Sequence, residues 1–284
     1  MKIQNHTKAQ HFVSQAELRL NACNPDAQKQ SNFKIFEFNV INREKYQVDL
    51  LSEKGRAVDK ALALDDLFSF DVKDKEVRAN LESLFQSYEN MIAESTKKLL
   101  IKIGQRQKNL SDELDNIFKA KLLNSFRNPY CIQKTLNTVG LLAAHHPTDP
   151  FLNEVCERIK KGQKPHQKYL CEKLGISNSH YEKWLHVLFM LLTPLKPLSL
   201  NMLESIINSL YFKPSNYLSA FIFTYTGEHT DKRPLVSDRS FSTPIDNDST
   251  LAFSNKGSSK QSFEVFRRVG AAVNATFYTQ FLDL

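Results

Sequence analysis

Apolar residues recur at steps of three, four and seven positions between Val77 and Ile103. This spacing keeps them on one face of a helix with 3.6 residues per turn. No proline or glycine interrupts the stretch before Gly104, and glycine commonly ends helices. The pattern therefore predicts a helix over residues 76–103, about 40 Å long at about 1.5 Å per residue. We expect the other elements to pack around this helix.

Further helices follow this segment, separated by residues that cap or break helices. Ser111 is a favourable N-cap, and acidic residues follow it where they suit the positive end of a helix. Helices are predicted over residues 111–127, 132–145, 150–161, 169–174, 179–192 and 200–211. Together with an amphipathic segment at 62–70, they predict a mainly α-helical body over approximately residues 62–212.

Both ends of the chain carry strand-like patterns. Residues 33–40 alternate aromatic or β-branched residues with polar ones, and residues 46–50 predict the second strand of a hairpin. In the last third of the chain, strands are predicted at 217–225, 235–236, 251–253 and 275–281, and a helix at 263–272. This order of elements predicts one α+β domain over residues 1–284. We expect the C-terminal strands to return to the N-terminal hairpin and form one sheet.

Positive charge is concentrated in two parts of this chain. The formal net charge is +7, residues 95–135 hold nine Lys or Arg against three Asp or Glu, and residues 156–173 hold six against two. Such segments favour a polyanionic partner such as nucleic acid. Solvated helix faces are the alternative explanation. The candidate nucleic-acid contacts are Lys97, Lys98, Lys102, Arg106, Lys160, Lys161, Lys164 and Lys168.

The cysteines and the apolar runs bear on the cellular compartment. The four cysteines form no CxxC pair, and the N-terminus is polar and unlike a secretory signal. The longest apolar run, residues 184–192, is about half of the roughly 20 residues that a membrane span needs. These features predict a reduced cytoplasmic protein with no membrane partner. Only eight glycines and no glycine-rich phosphate loop argue against a glycine-built nucleotide site.

Two glutamates of the predicted long helix could act together. Glu82 and Glu89 are seven residues apart, so both project from nearly the same face, about 10 Å apart along the axis. Each could serve a ligand with a third group, although two solvent-facing glutamates would show the same spacing. An early histidine, His11, and Asp238, which follows a strand-like stretch at a turn, are further candidates.

Several short motifs occur together in one order along the chain. They are His11-Phe-Val-Ser-Gln15, the strand-like Lys34–Phe38, the paired helix glutamates, Arg127-x-Pro129, Ser237-Asp238 and Asn274. Together they resemble the bacterial family called domain of unknown function 4238. Serine replaces the family's proline at position 14, and Arg239-Ser240 replaces its Asn-Pro.

This resemblance groups six residues into one candidate catalytic site: His11, Glu82, Glu89, Arg127, Asp238 and Asn274. Polar residues drawn from distant parts of a chain are expected to converge on a pocket. Such a set suits metal-assisted phosphodiester hydrolysis, in which His11, Glu82 and Glu89 hold Mg²⁺ or Mn²⁺ and Arg127 neutralises phosphate charge. The alternative is a structural network in which Arg127 pairs with Glu82 or Glu89.

Residues 169–185 resemble a helix-turn-helix. Cys171 lies four residues before Gly175, Ser177 can cap the second helix, and Tyr181 and Trp184 take its core positions. The very apolar continuation of that helix, and Glu182 on its outer face, argue against DNA reading.

The leading hypothesis is a bacterial, cytosolic, nuclease-like protein, an effector of phage defence or a toxin system. The alternative is a non-catalytic DNA- or protein-binding module using residues 169–185.

Overall fold

A computed structural model describes most of the chain up to residue 210 and short strands beyond it. The described residues are 3–42, 45, 47–73, 77–194, 200–210, 218–224, 235–236, 243–244, 249–255 and 275–276. The helices are α1 Gln15–Leu20, α2 Glu82–Gly104, α3 Ser111–Arg127, α4 Ile132–Val139, α5 Pro150–Lys161, α6 Gln167–Leu174, α7 Asn178–Leu192 and α8 Met202–Leu210. The predicted helical body is therefore confirmed.

The strands are short and lie at both ends of the chain. Those before α2 are β1 Ala9–His11, β2 Lys34–Ile35, β3 Phe38–Asn42, β4 Gln47–Leu50, β5 Arg56–Ala57, β6 Ala63–Asp65, β7 Ser69–Val72 and β8 Arg78–Asn80. Those after α8 are β9 Leu218–Thr224, β10 Leu235–Val236, β11 Thr243–Pro244, β12 Ser249–Asn255 and β13 Ala275–Thr276. Strands beside a helical body confirm the predicted α+β class.

The long helix α2 begins at Glu82, six residues later than predicted. Residues 78–80 form β8 instead, which pairs with β7 in antiparallel register. The Asn80 side chain ends this strand and starts the helix, because its Oδ1 accepts from the Glu82 N–H at 3.1 Å and its Nδ2 donates to the Asn5 carbonyl at 2.8 Å. Hydrogen bonds to a distant segment thus override the helical periodicity.

The centre of the body is α7, not α2. Every residue of α7 from Trp184 to its end is buried, whereas α2 keeps one side exposed along much of its length. The Trp184 indole donates to the Phe126 carbonyl at 2.8 Å, and the Tyr181 hydroxyl donates to the Leu67 carbonyl at 2.7 Å. These bonds satisfy the two polar atoms that a fully buried Trp and Tyr bring into a core.

The amphipathic segment at residues 62–70, where the helical body was predicted to begin, is not helical. It contains β6 and the start of β7, and β6 pairs with β1 in antiparallel register. Leu62 and Asp66 adopt left-handed backbone conformations with φ of +48° and +56°. Residues other than glycine rarely adopt such values, and a right-handed helix cannot continue through them. The helical body therefore begins at α2.

Among the described strands, the two ends of the chain do not share a sheet. The hairpin β3–β4 is a separate two-stranded pair, whereas β9, β12 and β11 form a three-stranded antiparallel sheet. Phe38, Val40 and Leu50 are exposed on the hairpin, so it buries no apolar face against a second sheet. The predicted helix at 263–272 lies outside the described residues. None of the described helices is long and apolar enough to cross a membrane.

Gly162, which follows α5, allows that helix to pack closely against β7. A Cβ atom there would overlap the carbonyl oxygens of Phe70 and Arg158 and would lie 2.7 Å from Asp71 Cβ. We expect Gly162→Ala to lower the free energy of unfolding by about 2 kcal/mol or more, since backbone atoms would have to move. Chemical denaturation would measure this change. In the control, Gly104→Ala, nothing lies within 4 Å of the new atom, so a change within about 1 kcal/mol is expected.

Candidate functional site

The side-by-side packing of α2 and α3 brings Arg127 against Glu89. Arg127 is 1% exposed, and its Nη1 donates to Glu89 Oε1 at 2.9 Å. Its Nε donates to Asn124 Oδ1 at 3.1 Å, and the guanidinium lies 5.1 Å from the centre of the Phe85 ring. The sequence left open whether Arg127 pairs with Glu82 or Glu89, and the structure selects Glu89.

His11 ends β1 and is held by two hydrogen bonds. Its Nδ1 lies 3.0 Å from the Ala61 carbonyl oxygen, and its Nε2 lies 2.9 Å from Gln15 Nε2. A carbonyl can only accept, so Nδ1 carries the proton and the unprotonated Nε2 accepts from the Gln15 amide. The Gln15 Oε1 in turn accepts from Arg19 Nη1 at 3.4 Å. This row of bonds fixes the tautomer and orientation of the neutral imidazole.

Glu82 lies in the field of the same residues. Burial raises the pKa of the Glu82 carboxyl to about 8, Arg127 acts to lower it and Glu89 acts to raise it. The Glu82 Oε1 atom is buried and has no hydrogen-bond partner among the described residues. Burial also lowers the pKa of His11, on which Glu89 and Arg127 act in opposite directions. Four of the predicted residues are therefore electrostatically coupled.

A narrow cleft opens beside the Arg127–Glu89 pair. Both side chains line it, together with Ser14 before α1 and Tyr88 on α2. The cleft measures about 170 Å³ including its mouth, and in this conformation its side chains leave no room for a water molecule. A ligand could therefore reach Arg127 only if a lining side chain moved.

No protein-family model, curated protein or solved structure matches this chain. The resemblance to domain of unknown function 4238 stays a prediction. What the site can do therefore follows from the chemistry of its own residues.

The predicted metal ligands do not fit a metal ion in this arrangement. Within the described ranges, no three His, Cys, Asp or Glu residues form a group that could hold one. The physical reason is that His11 uses both ring nitrogens in hydrogen bonds and Glu89 Oε1 accepts from Arg127. The predicted catalytic residues Asp238 and Asn274 lie outside the described residues, so their positions relative to this cluster stay predictions.

Three buried residues that the sequence analysis missed extend the cluster. Asn124 Nδ2 donates to Glu17 Oε2 at 2.9 Å, and Lys121 pairs with the other oxygen of Glu17. The network therefore runs from α1 through α3 to the Arg127–Glu89 pair. A signal was present in the sequence, because Lys121 lies four residues after Ile117 and interrupts the apolar face of α3.

The basic residues of α2 and the turn after it lie away from this cluster. Lys97 and Lys98 are exposed, about 12 Å or more along the helix axis from Glu89. Lys102 donates to Glu113 Oε2 at 2.6 Å, and Arg106 is exposed in the turn after α2. Lys97, Lys98 and Arg106 can therefore face a polyanion, whereas Lys102 is neutralised by its partner.

In the second basic segment, residues 156–173, most of the predicted contact lysines are paired or buried within the fold. Lys160 and Lys161 both pair with Glu157, at 3.6 and 2.7 Å. The Lys164 side chain is 2% exposed and its Nζ donates to the Gly162 carbonyl at 3.0 Å, so the prediction that it contacts nucleic acid is wrong for this conformation. Lys168 is exposed on α6. This segment offers fewer available cations than its composition indicates.

The helical hairpin of α6 and α7 forms at the predicted positions. Gly175 adopts φ +65° at the end of α6, and Ser177 Oγ accepts from the His180 N–H at 3.1 Å. Tyr181 and Trp184 are buried, as predicted. Residues 177–180 and Lys183 are exposed, but the burial of α7 from Trp184 onward leaves only the start of this helix available to a partner.

Proposed function

We propose that this protein cleaves phosphodiester bonds of nucleic acid at the cluster of His11, Glu82, Glu89 and Arg127. The observation that carries the proposal is the Glu82 carboxyl, whose Oε1 atom is buried without a hydrogen-bond partner among the described residues and which lies in the field of buried Arg127. Strongly perturbed carboxyls beside a charged partner are concentrated at functional sites.

The residues of the cluster suit different roles in acid–base chemistry. With its pKa raised to about 8, Glu82 keeps its proton at neutral pH and can give it to a leaving oxygen. His11 is held neutral with its proton on Nδ1, so Nε2 can accept a proton once Gln15 releases it. Arg127 supplies fixed positive charge for the oxygens of a phosphate.

The proposed site could hold a divalent metal ion only if a residue outside the described ranges supplied a further ligand. Asp238 is the predicted candidate for that ligand, and Mg²⁺ or Mn²⁺ would suit carboxylate oxygens. We also propose a cytosolic location, which is supported by the absence of any disulfide among the four cysteines, all of which are described. The role as a defence or toxin effector stays a prediction.

The test is cleavage of labelled single- and double-stranded DNA and RNA, with Mg²⁺, with Mn²⁺ and with a chelator. We expect wild-type protein to cleave at least one substrate and His11→Ala to lose the cleavage. His6→Ala removes an exposed histidine of the same segment and should cleave normally. Equal melting temperatures of the two variants would exclude unfolding as the cause. Cleavage that survives in His11→Ala would contradict the proposal.

The second candidate is a binding module that uses the α6–α7 hairpin, and the exposed turn at residues 177–180 favours it. The first turn of α7 could approach a nucleic-acid backbone, and the exposed Lys168 and Lys173 of α6 could add phosphate contacts. Fluorescence anisotropy with the same labelled substrates separates the two candidates. Binding without cleavage that is weakened by Lys168→Glu and kept in His11→Ala would favour the module.

A further inference from the structure

Glu89 forms an ion pair with the buried guanidinium of Arg127, and both side chains line the cleft. Its carboxylate accepts from Arg127 Nη1 at 2.9 Å. It also attracts the charge of Arg19 on α1, where it opposes the lowering of the Arg19 pKa by burial. Its side chain is 30% exposed, whereas that of Arg127 is 1% exposed. Glu89 is therefore the member of the pair that can move into water.

Arg127 is fixed on its other side and would stay in place if Glu89 moved. Its Nε donates to Asn124, and Asn124 donates to Glu17 at 2.9 Å. Glu17 is fixed in turn by its ion pair with Lys121. The hydrogen bond to Asn124 would keep the Arg127 guanidinium in the same orientation if Glu89 moved away. Such a preorganised donor is what an anion-binding site requires.

We propose that Glu89 occupies the position of a phosphate group, and that a phosphate of the substrate replaces it against Arg127, with the positive charge of Arg19 nearby. This inference rests on the proposed function and assigns its ligand chemistry. Carboxylate and phosphate oxygens both match the forked donors of a guanidinium, so one can take the place of the other. Glu89 and Arg127 both line the cleft, so the presence of the Glu89 side chain at this position also keeps the cleft narrow.

The charges around the position favour such an exchange. Arg19 and Arg127 are cationic, His11 is held neutral and burial keeps Glu82 protonated at neutral pH. Once Glu89 turns outward into water, the position retains the charge of the two arginines, which an anionic phosphate would neutralise. The ligand class is therefore a phosphate group, and the proposed source is the backbone of a nucleic acid.

The test is titration of the protein with inorganic phosphate by calorimetry. Glu89→Gln keeps a hydrogen-bond acceptor for Arg127 but removes the competing charge. We expect it to bind phosphate with a dissociation constant at least about tenfold lower than that of wild type. Glu94→Gln, which changes an exposed glutamate of the same helix, should behave like wild type. Equal affinities of Glu89→Gln and wild type would overturn the proposal.

A second pair of variants keeps the test decisive if substitution of Glu89 weakens the fold. Glu89→Ala empties the position, and phosphate should raise its melting temperature by more than it raises that of wild type. Adding Arg19→Gln should reduce this rise, because it removes a positive charge that acts on the position of Glu89. No rise in Glu89→Ala, or a rise unaffected by Arg19→Gln, would overturn the proposal.

Oligonucleotides identify the source of the phosphate and separate this inference from the proposed function. Short single-stranded RNA or DNA should compete with inorganic phosphate for Glu89→Gln if the ligand is a nucleic-acid backbone. Phosphate binding without oligonucleotide competition would overturn that source. Phosphate binding by Glu89→Gln without cleavage by wild type would support the phosphate position and contradict the cleavage proposal. Cleavage by wild type without phosphate binding by Glu89→Gln would support the cleavage proposal and overturn the phosphate position.

Discussion

Replacing Glu89 with alanine is expected to lower the free energy of unfolding by about 3–5 kcal/mol. The reason is that Arg127, only 1% exposed, would lose its carboxylate partner and remain as a buried charge. Arg127→Met should cost less, since Glu89 is 30% exposed and can regain water when its partner is removed. The two partners of one ion pair should therefore give unequal losses, measurable by urea denaturation.

The double variant Glu89→Ala/Arg127→Met completes this comparison. Once Arg127 is replaced, removal of Glu89 leaves no buried charge without a partner. The free energy of unfolding of the double variant should therefore fall by less than the sum of the two single losses. Glu94→Ala, an exposed site on the same helix, should change stability by no more than about 0.5 kcal/mol. Additive losses in the double variant would show that the pair contributes little to the stability of the buried network.

Glu82→Gln is expected to make the protein more stable than wild type at alkaline pH. The pKa of Glu82 is about 8 in the folded protein against an ordinary value of 4.5, so the folded state holds the proton more tightly. This contribution to stability is complete below pH 4.5 and is lost as the pH rises through 8. Glutamine, which cannot ionise, avoids that loss.

Between about pH 5 and 9, wild type should lose about 2–4 kcal/mol relative to Glu82→Gln, a range reduced because the side chain is not fully enclosed. The lowered pKa of His11 acts with the opposite sign, because the neutral ring stabilises the folded state more as the pH rises. It is present in both proteins and cancels in the difference. Melting temperatures over this pH range would give the result, and parallel curves would contradict it.

The same variant also tests the proposed acid. Glutamine cannot give up a proton, so any cleavage activity should fall by about 100-fold or more at neutral pH. The expected combination is a protein that is more stable at alkaline pH and much less active. A purely structural Glu82 would show the change in stability alone.

The helical body could be predicted from local sequence because its signals lie within a few residues of each other. The apolar periodicity of α2, the left-handed Gly175 and the cap at Ser177 each act over one or two helical turns. Burial of Tyr181 and Trp184 followed from their positions on the same helical face. In the C-terminal part, residue composition and segment length also located β9 and β12, although the sheets that they form could not be derived from them.

The site was only partly predictable, since its members depend on contacts between distant elements. The spacing of Glu82 and Glu89 placed them on one helix face, but it did not distinguish the buried carboxyl from the paired one. Lys121 and Glu17 are 104 positions apart along the chain, and no pattern in the sequence connects them. The convergence of His11 with Arg127 came from resemblance and not from local rules.

Local patterns were enough to predict the helices, the α6–α7 turn and the residues that face the core, because periodicity and capping act within one element. Long-range packing, in contrast, sets the start of α2 at Glu82, places α7 at the centre and pairs Arg127 with Glu89. Each of those outcomes depends on which distant group satisfies a buried polar atom, such as Asn5 for Asn80 or Glu89 for Arg127. Burial makes such partners obligatory, and the packing of the whole chain selects them.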